Sequence, residues 1–244
     1  MILKLILGVA LVPSSIAGTV WYLEKQGFFN IENIETTVEN SGDQSIYLKP
    51  LVKNLDDELE SMRGVSLWKV DIAKLRDTYS KLSWIDGLSI SRRWPSRLKV
   101  NVHAKEVDLL LMTKNGKFIP IVESGDSLPA VELKQIPDVA VLRGENFETR
   151  RDLRKKVVGL LKEIPADGPF SQKSISEIHF DDRDGFWVTL VKNGILVKMG
   201  HDQIAMKSTR VSQVLEYVDS RQLDARVIDA NLSKKVLVRL RKEP

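Results

Sequence analysis

Three histidines and no cysteine limit the catalytic and metal-binding chemistry open to this chain of 244 residues. His103, His179 and His201 lie far apart in the sequence. Without a thiol there is no thiolate nucleophile, no disulfide, no iron–sulfur cluster and no cysteine-based zinc site. The sequence also contains none of the short motifs typical of serine hydrolases, zinc proteases or phosphate-binding loops. It therefore predicts a protein that is not an enzyme and needs no cofactor or metal.

One acidic run resembles the start of a calcium loop. It reads Asp181-Asp182-Arg183-Asp184-Gly185. When Gly185 is aligned with the glycine that such a loop requires, Phe180 and Val191 fall at the first and last ligand positions. Neither side chain can bind calcium, so the run is better interpreted as a hairpin turn.

Two basic clusters raise the question of a charged ligand, although 37 Lys and Arg exceed 33 Asp and Glu only slightly. The clusters are Arg92, Arg93, Arg97, Lys99 and Lys105 around Trp94, and Arg150, Arg151, Arg154, Lys155 and Lys156. Strand alternation explains the first as a solvated face, and helical periodicity explains the second. We expect no nucleic-acid partner and no small-molecule substrate. Binding of the first cluster to anionic headgroups or cell-wall glycan stays open.

Residues 5–23 form a run without charged side chains. As a helix they would span roughly 28 Å, close to the thickness of one bilayer core. Lys4 precedes the run and aromatic residues end it, which predicts a transmembrane anchor with the bulk of the chain outside the cytoplasm. The residues assigned to the anchor are Leu5, Ile6, Leu7, Val9, Leu11, Val12, Ile16, Val20, Trp21 and Tyr22. A small-residue site at Ser15-Ile16-Ala17 keeps a cleaved signal peptide as the alternative.

The next module, residues 31–106, predicts the order β-α-α-β-β. A strand at 31–38 is followed by a helix with Pro50 in its first turn, and then by a second helix capped by Asp71. Two alternating runs, 84–93 and 97–103, form a hairpin around Pro95-Ser96.

Three blocks of this module resemble a known family. They read VSLWKVD at 65–71, LSWI at 82–85 and SRRWPSRLKV at 91–100. In this order and spacing they resemble the POTRA domain of the bacterial cell-division family FtsQ/DivIB. The residues that carry the motif are Trp68, Asp71, Trp84, Arg92, Arg93, Trp94, Pro95 and Leu98.

Residues 107–244 predict a mixed α/β module with an antiparallel sheet and two helices. Hairpin signals occur at Asn115-Gly116 and Asn193-Gly194, and apolar stripes mark helices around 153–164 and 204–218. The block from Trp187 to Gly200 also resembles FtsQ/DivIB. The chain departs from that family where Ala104 and Val107 replace its E-x-x-P, and where 228–232 lacks an arginine and an aromatic residue. The fold class is α+β.

The last predicted strand, 235–240, is expected at a sheet edge, where unpaired backbone groups can bind an extended partner. The residues assigned to this partner-binding site are Leu232, Lys235, Val236, Leu237, Val238, Arg239 and Leu240. Considered without the resemblance, an ordinary terminal strand protected by Lys234 and its basic neighbours is the alternative.

The resemblance implies that this end binds FtsB within the FtsB/FtsL pair and that the POTRA domain binds other divisome proteins, with FtsK as a candidate. It predicts a non-catalytic scaffold of the inner membrane at the septum. The predicted domains are an anchor at 1–23, a linker at 24–30, a POTRA domain at 31–106 and a C-terminal β-domain at 107–244. The alternatives are a POTRA-containing export or envelope-assembly factor and a secreted cell-wall binding protein.

Overall fold

The computed structural model describes residues 15–39, 45–232 and 235–241. The chain divides into two compact units, residues 1–105 and residues 106–244. In the first unit, residues 15–25 form helix α1. None of the helices in the described ranges is long and apolar enough to cross a membrane. Residues 5–14 of the predicted anchor lie outside those ranges, so the anchor stays a prediction.

The rest of the first unit has the predicted order β-α-α-β-β. Its elements are β1 (Asn33–Glu39), α2 (Ser45–Glu60), α3 (Ile72–Tyr79), β2 (Ile85–Arg93) and β3 (Arg97–Ala104). Strand β3 is central, because it pairs in parallel with β1 and antiparallel with β2. The alternate residues Leu98, Val100 and Val102 of β3 are buried, as the period of a half-buried strand requires.

Helix α2 begins earlier than the sequence predicts. Pro50 was expected in the first turn, but the helix starts at Ser45 and Pro50 lies inside it. The additional turn buries Tyr47 and Leu48, whose apolar area offsets the backbone hydrogen bond that proline cannot donate. The hydroxyl of Tyr47 donates to the carbonyl oxygen of Lys105 at 2.7 Å, and burial raises the pKa of Tyr47 to about 12.

The second unit contains an eight-stranded sheet in the order β11-β10-β9-β8-β7-β6-β4-β5. Its elements are β4 (Leu109–Met112), β5 (Phe118–Ile121), β6 (Val141–Arg143), α4 (Asn146–Thr149), α5 (Arg151–Lys162), β7 (Ile175–Asp181), β8 (Gly185–Leu190), β9 (Leu196–Gly200), α6 (Ile204–Ser220), β10 (Ala225–Asp229) and β11 (Leu237–Leu240). Its core joins the buried faces of α5, α6 and the central strands.

This sheet is mixed, so the predicted antiparallel sheet is wrong. The pairs β4/β6, β6/β7 and β9/β10 are parallel. Helices α4 and α5 connect β6 to β7, and α6 connects β9 to β10. Each of these two pairs is parallel because a helical crossover lets the second strand start at the same end of the sheet as the first. Strand β6 has three residues, too few for an alternating pattern to reveal it. The short helix α4 is also additional to the two helices predicted.

Candidate partner-binding edge

The two edges of the eight-stranded sheet differ. Strand β5 is covered on its outer side by residues that follow it, through bridges from Phe118 to Val131 and from Ile121 to Ser127. The N–H groups of Leu128 and Val131 donate to the carbonyl oxygens of Pro120 and Phe118, both at 2.9 Å. Strand β11 pairs with β10 alone among the described strands. Its outer row of backbone groups is therefore open to a partner strand.

The covering segment of β5 is held by a buried arginine. Arg154 of α5 donates to the carbonyl oxygens of Gly125 at 2.8 Å and Phe147 at 2.7 Å. Burial lowers the pKa of Arg154. The sequence pattern placed Arg154 on a solvated face, which is wrong, because the loop that covers β5 folds over this part of the helix.

All four residues of β11 are exposed, although two of them lie on the core face of the sheet. Val238 pairs with Ile228 and Leu240 pairs with Ala225 in the antiparallel register, and directly opposed residues share a face. Ile228 and Ala225 are buried, whereas Val238 is 37% and Leu240 is 49% exposed. Among the described residues, nothing covers the apolar face of the sheet where it continues to this edge.

The remaining residues assigned to this site lie around β11. Leu237 and Arg239 are exposed and share the opposite face, while Val236 packs partly against the core. Lys235 and Leu232 are exposed, and the strand begins two residues later than predicted, at Leu237. Lys234, expected to protect the edge, lies outside the described residues.

Arg241 attaches the end of β11 to the rest of the unit. Its N–H donates to the carbonyl oxygen of Asp224 at 2.8 Å, and its guanidinium donates to that of Asn193 at 2.9 Å. The turn that contains Asn193 also exposes Val191. The sequence analysis counted Arg241 only among the basic residues that protect the edge, and it did not select Val191, because only the Asn193-Gly194 turn had a local signal.

Helix α6 carries a further exposed aromatic residue that sequence reasoning did not select. Tyr217 lies outside the apolar stripe formed by Val211, Val214 and Val218, and it is exposed. The guanidinium of Arg221 lies 5.8 Å from the centre of its ring. An aromatic residue on the polar side of an amphipathic helix was the available signal.

Four residues of the POTRA motif have structural roles. Trp84 and Leu98 are buried, and Asp71 caps α3 by accepting from the N–H of Lys74 at 3.0 Å. Arg92 donates to the carbonyl oxygens of Leu67 at 2.8 Å and Val70 at 2.6 Å, which fixes the loop between these residues.

The other four motif residues, Trp68, Arg93, Trp94 and Pro95, are exposed. The rings of Trp68 and Trp94 lie 4.1 Å apart. The described anchor residues, Ile16, Val20, Trp21 and Tyr22, are exposed on α1. The others, Leu5, Ile6, Leu7, Val9, Leu11 and Val12, lie outside the described residues.

Each histidine contacts a different neighbour. His103 lies 3.1 Å from a carboxylate oxygen of Glu39, His179 lies 3.6 Å from one of Glu177, and His201 contacts the backbone of Arg183. In the described ranges, no three His, Asp or Glu side chains are close enough to hold a metal ion. The run 181–185 forms the end of β7, a turn and the start of β8.

The first unit has the β-α-α-β-β order expected of a POTRA domain, and the second unit is a β-rich module with one open sheet edge. The family model described as cell division protein FtsQ/DivIB, C-terminal, matches residues 102–231, and the FtsQ-type POTRA domain matches residues 53–103. The chain therefore belongs to the FtsQ/DivIB family of cell division proteins.

Individual relatives are distant and share the same description. The cell division protein FtsQ of Syntrophotalea carbinolica is 23% identical over 72% of this chain and 64% of its own length, which is less than two thirds. FtsQ of Geobacter sp. (strain M21) is 22% identical over 80% of this chain and 75% of its own length. FtsQ of Haemophilus influenzae is 24% identical over 79% of this chain and 74% of its own length.

Proposed function

We propose that this protein is a non-catalytic, bitopic scaffold of the divisome that links early division proteins to the FtsB/FtsL pair during septum formation. The observation that carries the proposal is the open, apolar edge strand β11 in a chain of the FtsQ/DivIB family. The family assignment also favours division over the alternatives of envelope assembly and cell-wall binding.

The proposed mechanism is strand addition. An extended segment of FtsB pairs with the outer backbone groups of β11, and the main-chain hydrogen bonds supply affinity. Alternate FtsB side chains then cover Val238 and Leu240 on the core face and Leu237 on the other face. The basic side chains of Lys235 and Arg239 favour an acidic partner segment.

The remaining parts of the chain have separate proposed roles. Residues 1–23 anchor the protein in the inner membrane, 24–30 link the anchor to the POTRA domain, and the bulk lies in the periplasm. The POTRA domain, residues 31–106, binds other divisome proteins such as FtsK, and residues 107–244 bind FtsB. Anchoring in one membrane raises the effective concentration of these partners, so that weak contacts add.

Proline substitutions in β11 test strand addition. Consecutive N–H groups of a strand point to opposite edges, so either Leu237→Pro or Val238→Pro removes a donor from the outer row. Titration of the full chain in detergent with the FtsB/FtsL pair of the same organism measures the effect. We expect the outward variant to bind about tenfold more weakly or worse, the equivalent of roughly 1.4 kcal/mol.

Leu133→Pro is the matched control, because Leu133 is exposed in the first position of a 3₁₀ helix, where proline is tolerated. It should leave both folding and binding unchanged. Thermal unfolding of each variant separates a lost partner from a lost fold. If both β11 variants fold and bind like the parent, strand addition is wrong.

A further inference from the structure

Four aromatic side chains form a half-exposed cluster in the first unit. Phe29 is buried at its centre, with ring centroids 5.2 Å from Phe28, 6.2 Å from Trp68 and 5.5 Å from Trp94. Phe28, Trp68 and Trp94 are 50%, 52% and 50% exposed. These four residues are called the aromatic cluster below. Soluble surfaces seldom expose so much contiguous aromatic area without a binding role.

The aromatic cluster is held in place by backbone hydrogen bonds. The N–H of Leu67 donates to the carbonyl oxygen of Phe29 at 2.8 Å, next to a bridge between Asn30 and Ser66. The N–H of Phe28 donates to the carbonyl oxygen of Leu23 at 3.0 Å, which connects the cluster to the end of α1. Backbone hydrogen bonds therefore hold the aromatic cluster next to this end of α1.

The type and position of these side chains indicate what they contact. The cluster begins five residues after the uncharged run 5–23, and α1 itself exposes Trp21 and Tyr22. Tryptophan and similar amphipathic rings favour the headgroup region of a bilayer, where one part of the ring is in an apolar environment and another is hydrated.

The charges around the aromatic cluster suit the same environment. The ammonium group of Lys25 lies 4.4 Å from the ring centre of Trp21. Arg93, next to Trp94 of the cluster, is also exposed. Basic side chains beside interfacial aromatic residues attract anionic lipid headgroups.

We propose that the aromatic cluster contacts the headgroup layer of the membrane and fixes the POTRA domain against the bilayer surface. This inference rests on the proposed membrane anchor, and it gives the POTRA domain a lipid-binding surface in addition to the protein partners proposed above. The contact limits rotation of the domain about its anchor, so that its strand edges face partners held in the same membrane.

The absence of cysteine allows a direct test on the full chain. A nitroxide label attached to the cysteine of Lys69→Cys lies beside the aromatic cluster. A label attached to the cysteine of Lys134→Cys lies at an exposed position of the second unit and is the matched control. Each labelled chain is reconstituted in vesicles of phosphatidylethanolamine and phosphatidylglycerol. Spin relaxation by lipid-soluble oxygen and by a water-soluble nickel chelate then reports what surrounds each label.

We expect oxygen to relax the label at position 69 more than the nickel chelate does, and the order to reverse at position 134. Equal exposure of both labels to the nickel chelate, in a chain that floats with the vesicles, overturns the inference but leaves the anchor intact. A chain that does not float overturns both. Protection of position 69 from both reagents indicates a protein contact and also overturns the inference.

A second pair of variants tests the contribution of the rings. In the Lys69→Cys chain, Trp94→Ser should return the label to the accessibility of the control, whereas Trp94→Phe should preserve the membrane contact. Thermal unfolding shows whether each variant remains folded. Identical label accessibility in folded serine and phenylalanine variants contradicts a role for the ring.

Discussion

The two edges of the eight-stranded sheet differ in whether the chain covers them. At β5 the chain folds back, pairs with the outer side of the strand and is fastened by the buried Arg154. At β11 the apolar face continues to the edge, and within the described ranges no strand pairs with the outer backbone groups. An uncovered edge can pair with a strand of another chain, so the strand addition proposed above depends on this difference between the two edges.

The covered edge depends on a close backbone approach at Gly125. This residue has φ of +78°, and a Cβ atom there would lie 2.7 Å from the carbonyl oxygen of Arg151 and 2.8 Å from the nitrogen of Lys155. Ion pairing of Arg151 with Asp126, at 2.6 Å, holds the same loop against α5. The cover is thus a packed part of the unit.

Of the variants that test the two edges, Gly125→Ala should lower the free energy of unfolding most. The added methyl group collides with helix backbone and forces the loop away, in addition to the cost of a left-handed alanine. We expect a loss of about 3 kcal/mol in the free energy of unfolding. Chemical denaturation measures it, and light scattering should show self-association through the uncovered β5.

Gly116→Ala is the control for that prediction. Its φ of +72° is similar, but an added Cβ would meet no atom within 4 Å. Only the conformational cost remains, about 1 kcal/mol. If the two variants lose equal stability, the close approach of Gly125 to α5 is not what holds the cover in place.

Arg154→Met should have an intermediate effect. Methionine keeps much of the apolar stem but leaves the carbonyl oxygens of Gly125 and Phe147 without their donor. The expected loss is about 2 kcal/mol in the free energy of unfolding. Hydrogen exchange of the amides of Leu128 and Val131 should accelerate, because the segment they belong to loosens first. Unchanged exchange there contradicts a fastening role for Arg154.

Arg241→Ala tests the open edge and should have the smallest effect. The variant removes the exposed side-chain hydrogen bond to Asn193 while retaining the backbone bond to Asp224. We expect a loss of about 0.5 kcal/mol in stability and a reduction of about twofold in affinity for the FtsB/FtsL pair. Calorimetry and the titration described above measure both. A loss as large as that of Arg154→Met would mean that β11 depends on this contact for its place in the sheet.

Local patterns predicted the elements that depend on neighbours in the sequence. Asp71 caps α3 as expected, and the β2–β3 hairpin turns at Pro95-Ser96. The predicted last strand is present at 237–240, although it is shorter than expected. Capping, turns and alternation act over a few residues, and such signals are visible in a single sequence.

Long-range pairing was not predictable in the same way. The three-residue strand β6 is stabilised by backbone pairing with β4 on one side and β7 on the other, and both strands come from distant parts of the chain. Arg154 has the spacing of a surface residue, and its burial follows from a loop that precedes it by 29 residues. Neither feature leaves a local pattern.

From the sequence alone we could predict the β-α-α-β-β order of the POTRA domain, the family resemblance and the small number of side chains suited to catalysis. These follow from residue types and short spacings, which the chain carries in any conformation. Only the folded chain shows which strands lie at the edges, which edge is covered and which aromatic side chains meet around Phe29. Those outcomes depend on pairing between distant segments, where the gain from packing and backbone hydrogen bonds exceeds local preference.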